Sequence, residues 1–249
     1  MKRKTVRKWV IPAGAALLAA VMLGGYHYLN NGYPADNAAM AALEETQHLS
    51  VTVMEDMVIF TPAEPEAGLV FYPGGKVEHL AYAPVLRALA QEGIACILPR
   101  MPFDLAVLDM DAAREARGKL PEIQHWYLGG HSLGGAMAAA YAAECTEEYE
   151  GLILLAAYST KDLNNSNMKV ISLYGSEDEI LNMEQYLTCR SNLPEDTVEQ
   201  VLEGGNHAQF GSYGPQEGDG TATVTPEEQI AWAAEIISEK ILDNIISVK

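Results

Sequence analysis

The sequence predicts an α/β protein: one domain built on a mostly parallel central sheet with helices on both faces. Three observations carry this expectation. From Leu49 onward, short apolar runs alternate with longer stretches of helical spacing, the pattern of strand–helix–strand units. Runs such as 68–72 and 94–98 are apolar throughout rather than every second residue, as strands covered on both faces are. A chain of 249 residues holds one sizeable domain and is short for two of ordinary size.

The elements follow in order. Residues 1–29 read as a signal-anchor or signal segment, in which Lys2, Arg3, Lys4, Arg7 and Lys8 precede a run from Val10 to about Leu29 with no formal charge. That run approaches the roughly 20 residues a membrane span needs, and Tyr26, His27 and Tyr28 stand where an interfacial belt would. The positive-inside rule then expects a transmembrane anchor with the body outside the cytoplasm, secretion after cleavage being the alternative. Residues 30–48 read as a tether and 49–249 as the domain. Within it, 50–54 and 57–60 flank Glu55-Asp56 as a hairpin, and 68–72 is a buried strand ending in Pro73-Gly74-Gly75. A helix is expected over 79–91, a strand over 94–98, a helix over 109–119 and a strand over 126–128. A helix of small residues over 133–144 comes next, then strands over 151–156 and 169–174, a helix over 182–190 and a strand over 197–202. Thr225-Pro226-Glu227-Glu228 opens a terminal helix with proline at its first position and a capping box.

Charge narrows the function. Sixteen Lys and Arg stand against 34 Asp and Glu, a net charge of −18, and five of those cations lie in the first eight residues. The rest of the chain carries 11 cations against the 34 acids, so it repels phosphates and is no nucleic-acid binder. Cys96, Cys145 and Cys189 form no C-x-x-C pair and suggest neither a zinc ribbon nor a dithiol site. No H-E-x-x-H, phosphate loop or dinucleotide fingerprint is present, so no metal and no cofactor is called for.

What remains is nucleophilic. Gly130-His131-Ser132-Leu133-Gly134 matches G-x-S-x-G, with a strand before it and a helix after it, so Ser132 sits on a strand-to-helix turn. A serine hydroxyl needs a base within hydrogen-bond reach. Of six histidines only His207 follows Ser132, in Gly204-Gly205-Asn206-His207 just after the last strand. Asp178, after the strand over 169–174, is the best-placed acid, and Asp162 is the runner-up. An oxyanion hole needs two backbone N–H groups. Leu133 offers one, and the turn after Tyr72 offers another at Gly75 or at Lys76 beside it. Only a dozen mostly polar residues, 157–168, separate the strands over 151–156 and 169–174, enough for a loop and not for an apolar helical cap, so the site is expected to be open and the substrate small. Phe103 and Leu105, in the apolar stretch 101–108, are candidates to line a small acyl pocket.

Tyr-Pro-Gly-Gly at 72–75, Gly-His-Ser-Leu-Gly at 130–134, Gly-Ser-Glu-Asp at 175–178 and Gly-Gly-Asn-His at 204–207 together resemble the α/β-hydrolase superfamily. The likeness is greatest to the alpha/beta hydrolase fold-5 group, itself similar to dienelactone hydrolases. The resemblance implies a Ser132–Asp178–His207 triad and esterase chemistry on a small-molecule ester. It departs from dienelactone hydrolases at the nucleophile, which there is cysteine. A cell-envelope acyltransferase using the same triad, or a non-catalytic binding module on the same fold, are the alternatives, and oligomeric state is not legible.

Overall fold

The computed structural model describes residues 31–248 and, ahead of them, residues 14, 19, 20 and 22–26. The charge-free N-terminal run falls largely outside the described residues. Among those described, no helix is long and apolar enough to cross a membrane.

Eight strands form one sheet: β1 (Leu49–Val53), β2 (Met57–Pro62), β3 (Ala67–Tyr72), β4 (Ile94–Pro99), β5 (Trp126–His131), β6 (Gly151–Leu155), β7 (Lys169–Gly175) and β8 (Val198–Leu202). Their order is β1-β2-β4-β3-β5-β6-β7-β8. The first two make the expected antiparallel hairpin, and β2 also runs antiparallel to β4. From β4 to β8 every pairing is parallel. The C-terminal ends of β3, β5, β6, β7 and β8 therefore share one edge, where loops of an open parallel sheet build sites.

The apolar strands are buried on both faces because each carries two inward sides. In β3, Leu69 and Phe71 pack with Leu86, Leu89, Ile237 and Ile241. Val70 and Tyr72 face the other way, onto Leu128, Leu152, Leu154, Ala138 and Ala139. Burying each large apolar side chain contributes about 1.5–3 kcal/mol, so both helical layers are held by the same strands. From Tyr33 onward the helices are α1 (Asn37–Ala41), α2 (Ala83–Gln91), α3 (Ala112–Arg117), α4 (Leu133–Ala142), α5 (Met183–Cys189) and α6 (Pro226–Val248).

Three differences from the sequence expectation have physical causes. The stretch 79–91 divides into a 3-10 turn, His79–Tyr82, and then α2, which takes Pro84 in its first turn where a missing N–H costs nothing. Helix α3 starts later than expected because its first turn is organised from the sheet: Tyr72 Oη donates to the Met110 carbonyl at 2.6 Å and accepts the Ala113 N–H at 3.0 Å. The tether expected over 30–48 is corrected most. The Tyr33 N–H donates to the Lys76 carbonyl at 2.8 Å, and the Glu78 N–H donates back to the Tyr33 carbonyl at 2.9 Å. Asp36 caps α1, its Oδ1 accepting from the Ala38 and Ala39 N–H groups at 2.8 and 3.0 Å. The body of the protein thus begins at Tyr33.

Candidate active site

Residue 132 stands just after β5 with φ 52° and ψ −123°, a sparsely populated positive-φ conformation that costs a non-glycine residue about 1–3 kcal/mol. The turn survives because its backbone is tied down on both sides. The Ser132 N–H donates to the Leu155 carbonyl at 2.9 Å, and its own carbonyl accepts the Ala136 N–H at 3.0 Å. Helix α4 could not approach this closely with larger residues. A Cβ on Gly134 would lie 2.3 Å from the Tyr72 and Pro73 carbonyl oxygens, and one on Gly135 would lie 2.6 Å from the Ala157 Cβ. The sharp turn and the small-residue helix are one device: it aims the serine and the first N–H groups of α4 at the strand edge.

His207 and Asp178 meet above the same edge. His207 Nδ1 and Asp178 Oδ2 are 2.8 Å apart, with side-chain exposures of 2% and 0%. The second carboxylate oxygen of Asp178 accepts the N–H groups of Ile180 and Leu181 at 2.9 and 2.8 Å, which fixes the orientation of the carboxylate. Because that carboxylate accepts only, Nδ1 carries the proton and the other ring nitrogen of His207 is left as a base. The turn of Ser132 reaches this pair through its neighbour: the rings of His131 and His207 have centroids 4.4 Å apart. Asp162 is not part of the site. It is exposed, and its Oδ1 accepts the Asn164 N–H at 3.0 Å within its own loop.

Of the oxyanion candidates, Leu133 and Gly75 come together: a Cβ on Gly75 would lie 2.9 Å from the Leu133 Cδ2. Among the described residues neither N–H has a hydrogen-bond acceptor. Lys76 is corrected, because its N–H donates to the Asp104 carbonyl at 2.9 Å and is not available. Leu105 borders the same place, 3.8 Å from the Gly75 Cβ position, whereas Phe103 is 64% exposed at φ 54° and turns its ring to solvent.

Several residues of the site were missed in the sequence. The backbone at His207 is held by Asp219, whose Oδ1 and Oδ2 accept the His207 and Ala208 N–H groups at 3.3 and 2.9 Å. Gln229, fully buried, grips the preceding residue from both sides, accepting the Asn206 N–H at 3.0 Å and donating to its carbonyl at 2.7 Å. A signal for Gln229 existed: it shares the α6 face of Ala233, Ile237 and Ile241, where a polar residue is out of place. Asp219, in a polar loop, offered none.

The profile of the alpha/beta hydrolase family matches residues 68–231, about two-thirds of the chain. The chain belongs to the alpha/beta hydrolase family. Solved structures agree on this fold at low identity. Est1E from Butyrivibrio proteoclasticus is 14% identical, with a TM-score of 0.54 over 79% of this chain and 100% of that one. The esterase domain of a Rhodothermus marinus protein is 15% identical, with a TM-score of 0.56 over 78% of this chain and 97% of that one. A search of curated proteins finds no match. The eight-stranded sheet of this alpha/beta hydrolase, mostly parallel and flanked by helices, is the family's architecture, and esterase-like hydrolases are its structural neighbours.

Proposed function

We propose that this alpha/beta hydrolase is a serine esterase that cleaves small carboxylic esters through an acyl-enzyme on Ser132. The observation that carries the reading is the buried 2.8 Å pair of His207 and Asp178, at the strand edge that also bears the strained Ser132 turn. In the reaction the Ser132 Oγ attacks the ester carbonyl carbon while His207 Nε2 takes the hydroxyl proton. The carbonyl oxygen becomes an oxyanion and accepts the N–H groups of Leu133 and Gly75. Collapse expels the alcohol, which leaves with the proton held by His207. A water then gives a proton to His207 and its oxygen to the acyl carbon, and the acid departs as Ser132 recovers its proton. Asp178 holds the imidazole orientation and stabilises the imidazolium formed in each half-reaction.

Substrate size follows from the covering of the site. No helix interrupts residues 156–168 between β6 and β7, and Asn164, Asn165 and Asn167 there are exposed. Leu105 beside Gly75 supports a short apolar acyl group. The basic, charge-free N-terminal pattern supports a membrane-anchored protein with its catalytic domain outside the cytoplasm.

A fluorophosphonate probe followed by peptide mapping tests the assignment. We expect one adduct, on Ser132, and loss of 4-nitrophenyl acetate hydrolysis by about 10³-fold or more in Ser132→Ala. Absence of labelling with retained hydrolysis in that variant refutes it.

A further inference from the structure

Gly74 N–H donates to Tyr82 Oη at 3.0 Å, and Tyr82 Oη lies 2.8 Å from His131 Nδ1. Both side chains are buried, at 0% and 1% exposure. Neither group enters the chemistry proposed above, yet together they join the turn before Gly75 to the residue before Ser132. The direction of the relay follows from its donors. Burial holds the Tyr82 phenol protonated, since its pKa is pushed up. With the Gly74 N–H already pointing at its oxygen, the phenol proton has one acceptor among the described residues, His131 Nδ1. His131 is therefore neutral with its proton on Nε2, in keeping with a burial that drives its pKa well below the ordinary histidine range. That Nε2 is buried and has no hydrogen-bond partner among the described residues.

The fit is close enough to dictate residue 74. A Cβ there would lie 2.7 Å from Tyr82 Oη and 2.9 Å from His131 Nδ1, so the backbone itself rests on the pair. An oxyanion hole works because its donors are oriented before charge develops, and a Pro-Gly-Gly turn has little intrinsic stiffness to orient them.

We propose that Tyr82 and His131 are positioning residues of the oxyanion hole: the relay from Gly74 N–H through Tyr82 O–H to His131 Nδ1 fixes the peptide that presents the Gly75 N–H and locks it to the Ser132 turn. This rests on the esterase reading. It assigns a role to the histidine of Gly-His-Ser-Leu-Gly that is separate from acid–base chemistry.

The test uses Tyr82→Phe, His131→Asn and His131→Leu, with active sites counted by fluorophosphonate. In Tyr82→Phe, kcat on 4-nitrophenyl acetate per titrated site should fall about tenfold or more with KM changed less than about twofold. The Ki of a trifluoromethyl ketone, whose adduct carries the oxyanion, should rise by the same factor. His131→Asn, which keeps an acceptor near the Nδ1 position, should retain more activity than His131→Leu, and this pair decides the matter if Tyr82→Phe does not fold. A lower melting temperature with unchanged kcat and ketone affinity per titrated site overturns the inference, as does equal loss in the two His131 variants. Wild type that takes no fluorophosphonate overturns the esterase reading and this inference with it. Labelled wild type with an unaffected Tyr82→Phe overturns this inference alone.

Discussion

The turn that carries Ser132 and the loop that carries His207 lie at the same edge of the sheet and are built in opposite ways. Around Ser132, shape comes from what is missing: Gly130, Gly134 and Gly135 stand where any Cβ would meet backbone or a neighbouring side chain at 2.8 Å or less. The information sits within six consecutive residues. Around His207, shape comes from what is supplied at a distance. Asp178, Asp219 and Gln229, which are 29, 12 and 22 positions away in the chain, hold its ring, its N–H and the residue before it. Steric exclusion cannot be partly satisfied, even where the excluded atoms belong to Tyr72, Pro73 and Ala157, whereas each hydrogen bond at His207 is one contribution among several. The first region should therefore fail abruptly when altered and the second by degrees.

One alanine substitution in each region breaks or sharpens that contrast. Gly134→Ala places a Cβ 2.3 Å from two backbone carbonyl oxygens, that of Tyr72 at the end of β3 and that of Pro73 just beyond it. We expect a loss of about 3 kcal/mol or more, seen as insoluble protein or as a much lower midpoint in urea unfolding. A midpoint near wild type would mean that the turn is more yielding than its contacts imply. Asp219→Ala removes the acceptor for the His207, Ala208 and Gly220 N–H groups without creating a clash. The protein should still fold, and on the proposed esterase reading kcat should fall about ten- to a hundredfold, because a small displacement of His207 as base is expensive. Steady-state kinetics checks this, and full activity would leave Gln229 and Asp178 as sufficient.

A separate test concerns pH. Burial, with Arg100 nearby, lowers His79 to about 4, and burial drives His131 well below its ordinary range. Both imidazoles stay neutral in the folded protein while the unfolded chain takes up protons below about 6.5. Folding is thus fully stable, in this respect, above pH 6.5 and weakens as pH falls toward 4, by about 1.4 kcal/mol per pH unit for each proton bound on unfolding. Urea midpoints measured between pH 7.5 and 4.5 should show this slope, and His79→Gln should lessen it. An unchanged slope in that variant would remove His79 from the explanation.

Much of this was readable before any coordinates. Most of the strands were, because an apolar run five or six residues long bounded by turn residues marks a strand covered on both faces. So was the start of α6, where the Glu228 N–H donates to Thr225 Oγ1 at 3.2 Å and the Thr225 N–H donates to Glu228 Oε2 at 2.8 Å, a reciprocal cap four residues long. The glycine-framed turn at Ser132 was also a local fact.

Other features were settled only when distant segments met. That the Lys76 N–H is spent on Asp104 while the Gly75 N–H stays open depends on the 101–108 stretch folding back onto the turn. The docking of Tyr33 onto Lys76 and Glu78 turned an expected tether into part of the domain. The same is true of Tyr82, Asp219 and Gln229, none of which lies in a motif. The division has one physical reason. Backbone sterics and burial periodicity are properties of neighbouring residues and are written in the sequence as such, but a hydrogen bond between residues tens of positions apart exists only once hydrophobic packing has fixed where both ends lie.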